Sequence, residues 1–113
     1  MQSFEIALQS ADNHQYRLRA CVPTSPSAAL LWLPALGVAA RHYQALAESL
    51  AERGIAVFVH EWRGHGSSSV RAGHDCNWGY RELLLEDLPR SEAAIDAALP
   101  GVSRIIGGHS LGG

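Results

Sequence analysis

An α/β fold, with a mostly parallel sheet of about five strands led by an antiparallel hairpin and flanked by helices, is the class this sequence predicts. Three observations carry it. Two continuously apolar runs, ALLWL (29–33) and IAVFVH (55–60), have the composition of strands covered on both faces. Segments of helical apolar spacing alternate with such runs, as right-handed β-α-β crossovers require. Ahead of them lie two short segments with apolar residues at every second position.

Those first segments, FEIAL (4–8) and YRLRACV (16–22), flank the polar turn QSADNHQ and read as a hairpin. CVPTSPSA carries two prolines and is a loop. The strand ALLWL ends at Pro34. RHYQALAESLAERG (41–54) sets Tyr43, Leu46, Ala47 and Leu50 on one face, with Gly54 as its C-terminal stop, and predicts an amphipathic helix. After IAVFVH comes a Gly/Ser-rich loop from Arg63 to about Asn77. YRELLLEDLPRSEAAIDAAL (80–99) is helical in period, but Pro89 lacks an amide hydrogen, so two helical pieces are expected. SRIIG (103–107) predicts a last short strand. No repeat, low-complexity tract or internal boundary interrupts residues 1–113, which read as one partial domain.

A chain of 113 residues, 47% hydrophobic and 18% charged, has an ordinary composition for a soluble globular protein. A net charge of −2 points to neither nucleic acid nor an anionic membrane as a partner. All nine Lys/Arg positions are arginine, which excludes Schiff-base and Ser–Lys chemistry within these residues. Cys21 and Cys76 form no framework and read as reduced thiols. The polar N-terminus is unlike a signal peptide, and AALLWLPALGVAA is too short and broken to span a bilayer. A cytoplasmic location is the expectation; oligomeric state is not legible.

Chemistry enters at GGHSLGG (107–113). Gly108-His109-Ser110-Leu111-Gly112 satisfies G-x-S-x-G, a sharp strand-to-helix turn that projects a nucleophilic serine. Only small residues fit two places before and after that serine, hence Gly108 and Gly112. The Leu111 N–H would point at the developing oxyanion. The motif follows a predicted strand at the end of a β-α-β-α-β series, the context it needs.

Three stretches, LWLPALG (31–37), HEWRGHGSS (60–68) and GGHSLGG, together resemble the N-terminal half of an α/β-hydrolase-fold serine hydrolase. The likeness is nearest to the serine-aminopeptidase-like or monoacylglycerol-lipase-like branch. The resemblance implies Ser110 as nucleophile of ester, lipid or peptide acyl bonds in a small-molecule substrate, with no cofactor or metal. It implies a second oxyanion donor in the loop after the first buried strand. Pro34-Ala35 stands where His-Gly is usual, and the Leu36 N–H can still supply that donor. Glu61 stands where the second motif usually has Asp, a structural position in most relatives.

Other histidines and acids are expected outside the chemistry. His60 and His65 are five apart with Gly64 between them, so they do not make a zinc H-E-x-x-H helix. His74-Asp75-Cys76 reads as a solvated loop. His109 neighbours Ser110, but the turn aims it elsewhere. His14 lies on a predicted turn and His42 at a helix start; of these histidines His42 and His65 come nearest to the C-terminal strand ends. Asp87 and Asp96 precede the serine, whereas the resemblance implies an acid and a histidine after it. Neither is present, so the sequence reads as a chain incomplete beyond its nucleophile, with the strand at 103–107 left as an edge. The competing reading is a non-catalytic remnant or interaction module on the same fold; acyl transfer is a third.

Overall fold

The computed structural model describes residues 1–69 and 79–109. Strand β1 (Gln2–Gln9) turns at residues 10–14 into β2 (Gln15–Val22), and Asn13 takes the left-handed conformation at φ 67°. Strand β3 (Ala28–Leu33) leads through a 3₁₀ turn (Ala40–Tyr43) into helix α1 (Gln44–Ala51), and β4 (Ile55–Val59) follows. A short turn α2 (Tyr80–Glu82), a π-helical turn (Leu83–Asp87) and helix α3 (Leu88–Ala98) then run without interruption, before β5 (Arg104–Gly108).

The sheet order is β1-β2-β4-β3-β5. The central strands β4, β3 and β5 are parallel, while β2 pairs antiparallel with both β1 and β4. The hairpin thus extends a parallel centre into a mixed sheet, as the alternating pattern ahead of the apolar runs implies. Both β3 and β4 bury both faces. Leu31 and Phe58 join Leu18 and Ala20 under Ile95 of α3, whereas Leu30, Val57 and Val59 meet Ala47 and Ala51 of α1 on the other face. Each large aliphatic or aromatic side chain so covered contributes about 1.5–3 kcal/mol.

Three expectations shift in detail. The first helix opens as a 3₁₀ turn, and its covered face is Ala40, Ala47 and Ala51, with Leu46 left 37% exposed. Alanines let α1 approach β4 closely, and the four-residue step from Ala47 to Ala51 turns Leu46 to the flank. Gly54 does stop this segment, at φ 90°. Around Pro89 the two helical pieces are joined by a widened turn, in which the Leu88 N–H reaches the Leu83 carbonyl. The π turn absorbs the hydrogen bond that proline cannot make. Finally, β4 ends at Val59, and the His60 N–H bonds the Trp32 carbonyl at 3.0 Å.

Strand β5 is the outer strand beside β3, with Ile105 and Ile106 49% and 57% exposed on its two faces. Among the described residues no helix is long and apolar enough to cross a membrane. Cys21 is buried and free; Cys76 lies outside the described residues.

Candidate active site

Parallel pairing decides where the pieces meet. Leu33 is in register with Gly108, and the His109 N–H bonds the Leu33 carbonyl at 3.1 Å. The loop that follows β3 and the residue that precedes Ser110 therefore stand at the same end of the sheet. Ser110, Leu111 and Gly112 themselves lie outside the described residues.

The loop after β3 is a tight turn, closed by Val38 N–H on the Ala35 carbonyl and by Gly37 at φ 92°. Three side chains of the loop after β4 hold it. Trp62 Nε1–H donates to the Pro34 carbonyl at 2.7 Å. The Gly37 N–H donates to His65 Nε2 at 2.7 Å, and His65 Nδ1–H donates to the Arg63 carbonyl at 2.9 Å, which fixes the neutral tautomer. Glu61 Oε2 accepts the Ala40 N–H at 2.7 Å, while Oε1 accepts from Ser67 N–H and Oγ at 2.8 and 3.1 Å. A fourth hold comes from Tyr43, whose Oη accepts the Ala35 N–H at 3.0 Å and meets His109 Nδ1 at 3.3 Å. Exposed Leu36 sits in the middle, and no described residue accepts its N–H.

The Glu61 carboxylate also explains a glycine. Gly66 has φ 45°, and a methyl group there would fall 2.6 Å from the Glu61 carboxyl carbon. Gly66→Ala is therefore expected to destabilise the protein by about 1–3 kcal/mol, through backbone strain and displacement of Glu61. A urea midpoint equal to that of the unsubstituted protein would contradict this account.

Behind the clamp lies a buried polar network that sequence reasoning missed. Asp87, fully buried, accepts from Ser10 Oγ at 2.7 Å, from Arg63 Nε at 2.7 Å and from His14 Nδ1 at 3.2 Å. Arg63 also reaches Asp12 with two hydrogen bonds, at 2.6 and 2.9 Å. His14 Nε2 meets Ser68 Oγ at 2.8 Å, and Tyr16 Oη donates to the Asp87 carbonyl at 2.8 Å. Burial pushes the Asp87 carboxyl up, but the hydrogen bonds from His14, Arg63 and Ser10 outweigh it and hold it at about 2.

Ser68, His14 and Asp87 thus share the connectivity of a hydrolytic triad without its chemistry. Ser68 is 5% exposed and its Oγ also accepts the Gly64 N–H at 3.1 Å. Asp87 is occupied by Arg63 rather than dedicated to orienting the ring. The arrangement ties the hairpin turn to the loop after β4 and to the helix. An open groove nearby, lined in part by Leu8, Gln15, Tyr16 and Ser67, runs along the β1–β2 hairpin across the sheet from β5. It is remote from the strand end where Ser110 follows.

His60 is a second fully buried titratable group. Its Nδ1 meets Ser91 Oγ at 2.7 Å, its Nε2 has no hydrogen-bond partner among the described residues, and the Tyr16 and Trp62 rings stand edge-on to it. Burial lowers its pKa from 6.5 to about 3. The sign follows: the unfolded chain binds a proton that the folded chain refuses. Stability is full above pH 6.5 and is lost as pH falls toward 3, by up to about 1.4 kcal/mol per pH unit. Urea midpoints measured from pH 7 to 4 should show this slope, and His60→Gln should flatten it; an equal slope in the variant would assign it elsewhere.

The remaining candidates separate. His60 and His65 face different partners, and among the described residues no group of three His, Cys, Asp or Glu could hold a metal. His74-Asp75-Cys76 lies outside the described residues. His42 is exposed at the 3₁₀ turn, and Asp96 pairs with Arg104 at the surface. His14 lies on the turn at residues 10–14, where the sequence places it, and is buried there because its ring bridges Asp87 and Ser68.

A family model described as serine aminopeptidase, S33, matches residues 24–113. Among solved structures the chain is similar to a lipase in its open form, at a TM-score of 0.81 and 22% identity over 98% of this chain and 37% of the lipase. It is similar to the thioesterase domain from the curacin biosynthetic pathway (TM-score 0.70, 22% identity, 99% of this chain and 38% of that one). A Vigna radiata epoxide hydrolase aligns at a TM-score of 0.67 and 14% identity, over 97% of this chain and 31% of its own. The chain spans well under half the length of these three.

Proposed function

Because the chain belongs to the serine aminopeptidase S33 family of α/β hydrolases, we propose that it carries the nucleophile and oxyanion hole of a serine hydrolase acting on carboxylic ester, lipid or peptide acyl bonds. Ser110 Oγ attacks the carbonyl carbon, and a histidine from chain beyond residue 113, steadied by an acid, takes its proton. The oxyanion that forms receives the N–H groups of Leu36 and Leu111. The histidine then returns the proton to the departing alcohol or amine, and water releases the acyl group from Ser110. Gly108 and Gly112 provide the room the turn needs. Residues 1–113 form one partial domain of that enzyme and by themselves lack the base, so they are inactive alone.

The observation that supports this reading is the pairing of Leu33 with Gly108. It brings the clamped loop bearing the unengaged Leu36 N–H to the strand end that precedes Ser110. The test is covalent labelling of the full-length protein with a fluorophosphonate probe. Labelling that disappears in Ser110→Ala, and is absent from residues 1–113 alone, is the expected result. An unlabelled full-length protein would favour the non-catalytic remnant instead.

A further inference from the structure

In the turn after β3 the hydrogen-bond partners alternate. The Ala35 N–H is taken by Tyr43 Oη, the Gly37 N–H by His65 Nε2, and the amide between them by no described residue. The Leu36 N–H shares one rigid peptide plane with the Ala35 carbonyl, which accepts the Val38 N–H. With the planes on both sides held by Tyr43 and His65, the φ and ψ rotations that would turn it are restrained. Both holding atoms are side-chain acceptors from other elements: Tyr43 from the 3₁₀ turn before α1 and His65 from the loop after β4. Each is itself oriented by a second contact, Tyr43 by His109 and His65 by the Arg63 carbonyl. Neither acceptor compensates a buried charge, and Gly37 is exposed, so a solvent molecule could satisfy its amide without His65. What the histidine adds over solvent is a fixed direction.

We propose that Tyr43 and His65 are positioning residues, which hold the flanking amides so that the Leu36 N–H is aimed at the oxyanion. This rests on the reading of Ser110 and Leu36 given above. A donor aimed before the reaction costs no reorganisation when charge develops, and a misplaced one forfeits most of its effect. The loss falls on the transition state and leaves ground-state binding nearly untouched.

The experiment is steady-state hydrolysis of p-nitrophenyl butyrate by the full-length protein and by its His65→Ala, His65→Gln, Tyr43→Phe and Ser110→Ala variants, each with a thermal melt. His65→Ala should lower kcat by about 10²-fold with KM within about twofold, and Tyr43→Phe by about tenfold. His65→Gln, whose amide oxygen can accept the Gly37 N–H, should recover most of the His65→Ala loss. An unchanged kcat in His65→Ala, or a His65→Gln variant as slow as His65→Ala, would overturn the positioning role. If Ser110→Ala stays active, the underlying hydrolase reading fails instead, whatever the other variants do.

Discussion

Ser110→Ala in the full-length protein is expected to lower kcat for an acyl ester by about a million-fold while leaving the thermal melt in place. A serine hydroxyl is a poor nucleophile near neutral pH, and its reactivity depends on transferring its proton to a base in the same step. Removing any one member of a unit that acts together costs nearly as much as removing all of it. What survives is the contribution of oxyanion donors and binding, about 10³–10⁴-fold over water. The Leu36 N–H should keep its direction in the variant, since the described holds on its loop come from Tyr43, Trp62 and His65. Hydrolysis within tenfold of the unsubstituted enzyme would remove Ser110 from the mechanism.

Asp87→Ala should destabilise the full-length protein by about 3–5 kcal/mol, the magnitude typical of a buried ion pair that loses one partner. The Arg63 side chain is 2% exposed, and without Asp87 it keeps only Asp12, whose own side chain is 44% exposed. Ser10 Oγ and His14 Nδ1 lose their acceptor in the same step. Asp87→Asn, which keeps the shape and one acceptor, should fall between the two. Acid should reproduce part of the loss. The carboxyl lies near 2 in the folded chain against 3.8 unfolded, so its stabilisation is complete above pH 4 and disappears as pH falls toward 2. A urea titration showing less than 1 kcal/mol for Asp87→Ala would mean that Arg63 finds another arrangement.

The strands were legible because their signal is local. ALLWL and IAVFVH announce burial on both faces by composition alone, and β3 and β4 are the strands so covered. Helix details were less legible. The face of α1 follows its alanines because close approach to the sheet outweighs the larger burial Leu46 could offer. Pro89 marks a disturbance, but nothing in its neighbours tells a break from a π turn that keeps the helix whole. HEWRGHGSS was legible as a family-like motif and as a failed zinc site, without the partners of its side chains. Those partners sit on other elements: Trp62 on Pro34, His65 on Gly37, Glu61 on Ala40. Asp87 meets His14 across 73 positions, a distance at which periodicity says nothing.

The clamp on the loop after β3 also bears on the order in which the chain can assemble. Its bonds to the loop after β4 span 21 to 28 positions and the Tyr43 hold spans 8, all within the segment from Pro34 to His65. Strand β5 reaches its place only by pairing Ala29 with Arg104, across a far longer stretch. Closing a longer loop costs more chain entropy, though the cost rises only with the logarithm of length. The β3–α1–β4 unit, with the turn that presents Leu36 already tied down, can therefore form from its own residues. The turn that holds Leu36 does not wait for β5; the later strand adds itself to a loop already tied to the residues after β4, and brings His109 to Tyr43 last.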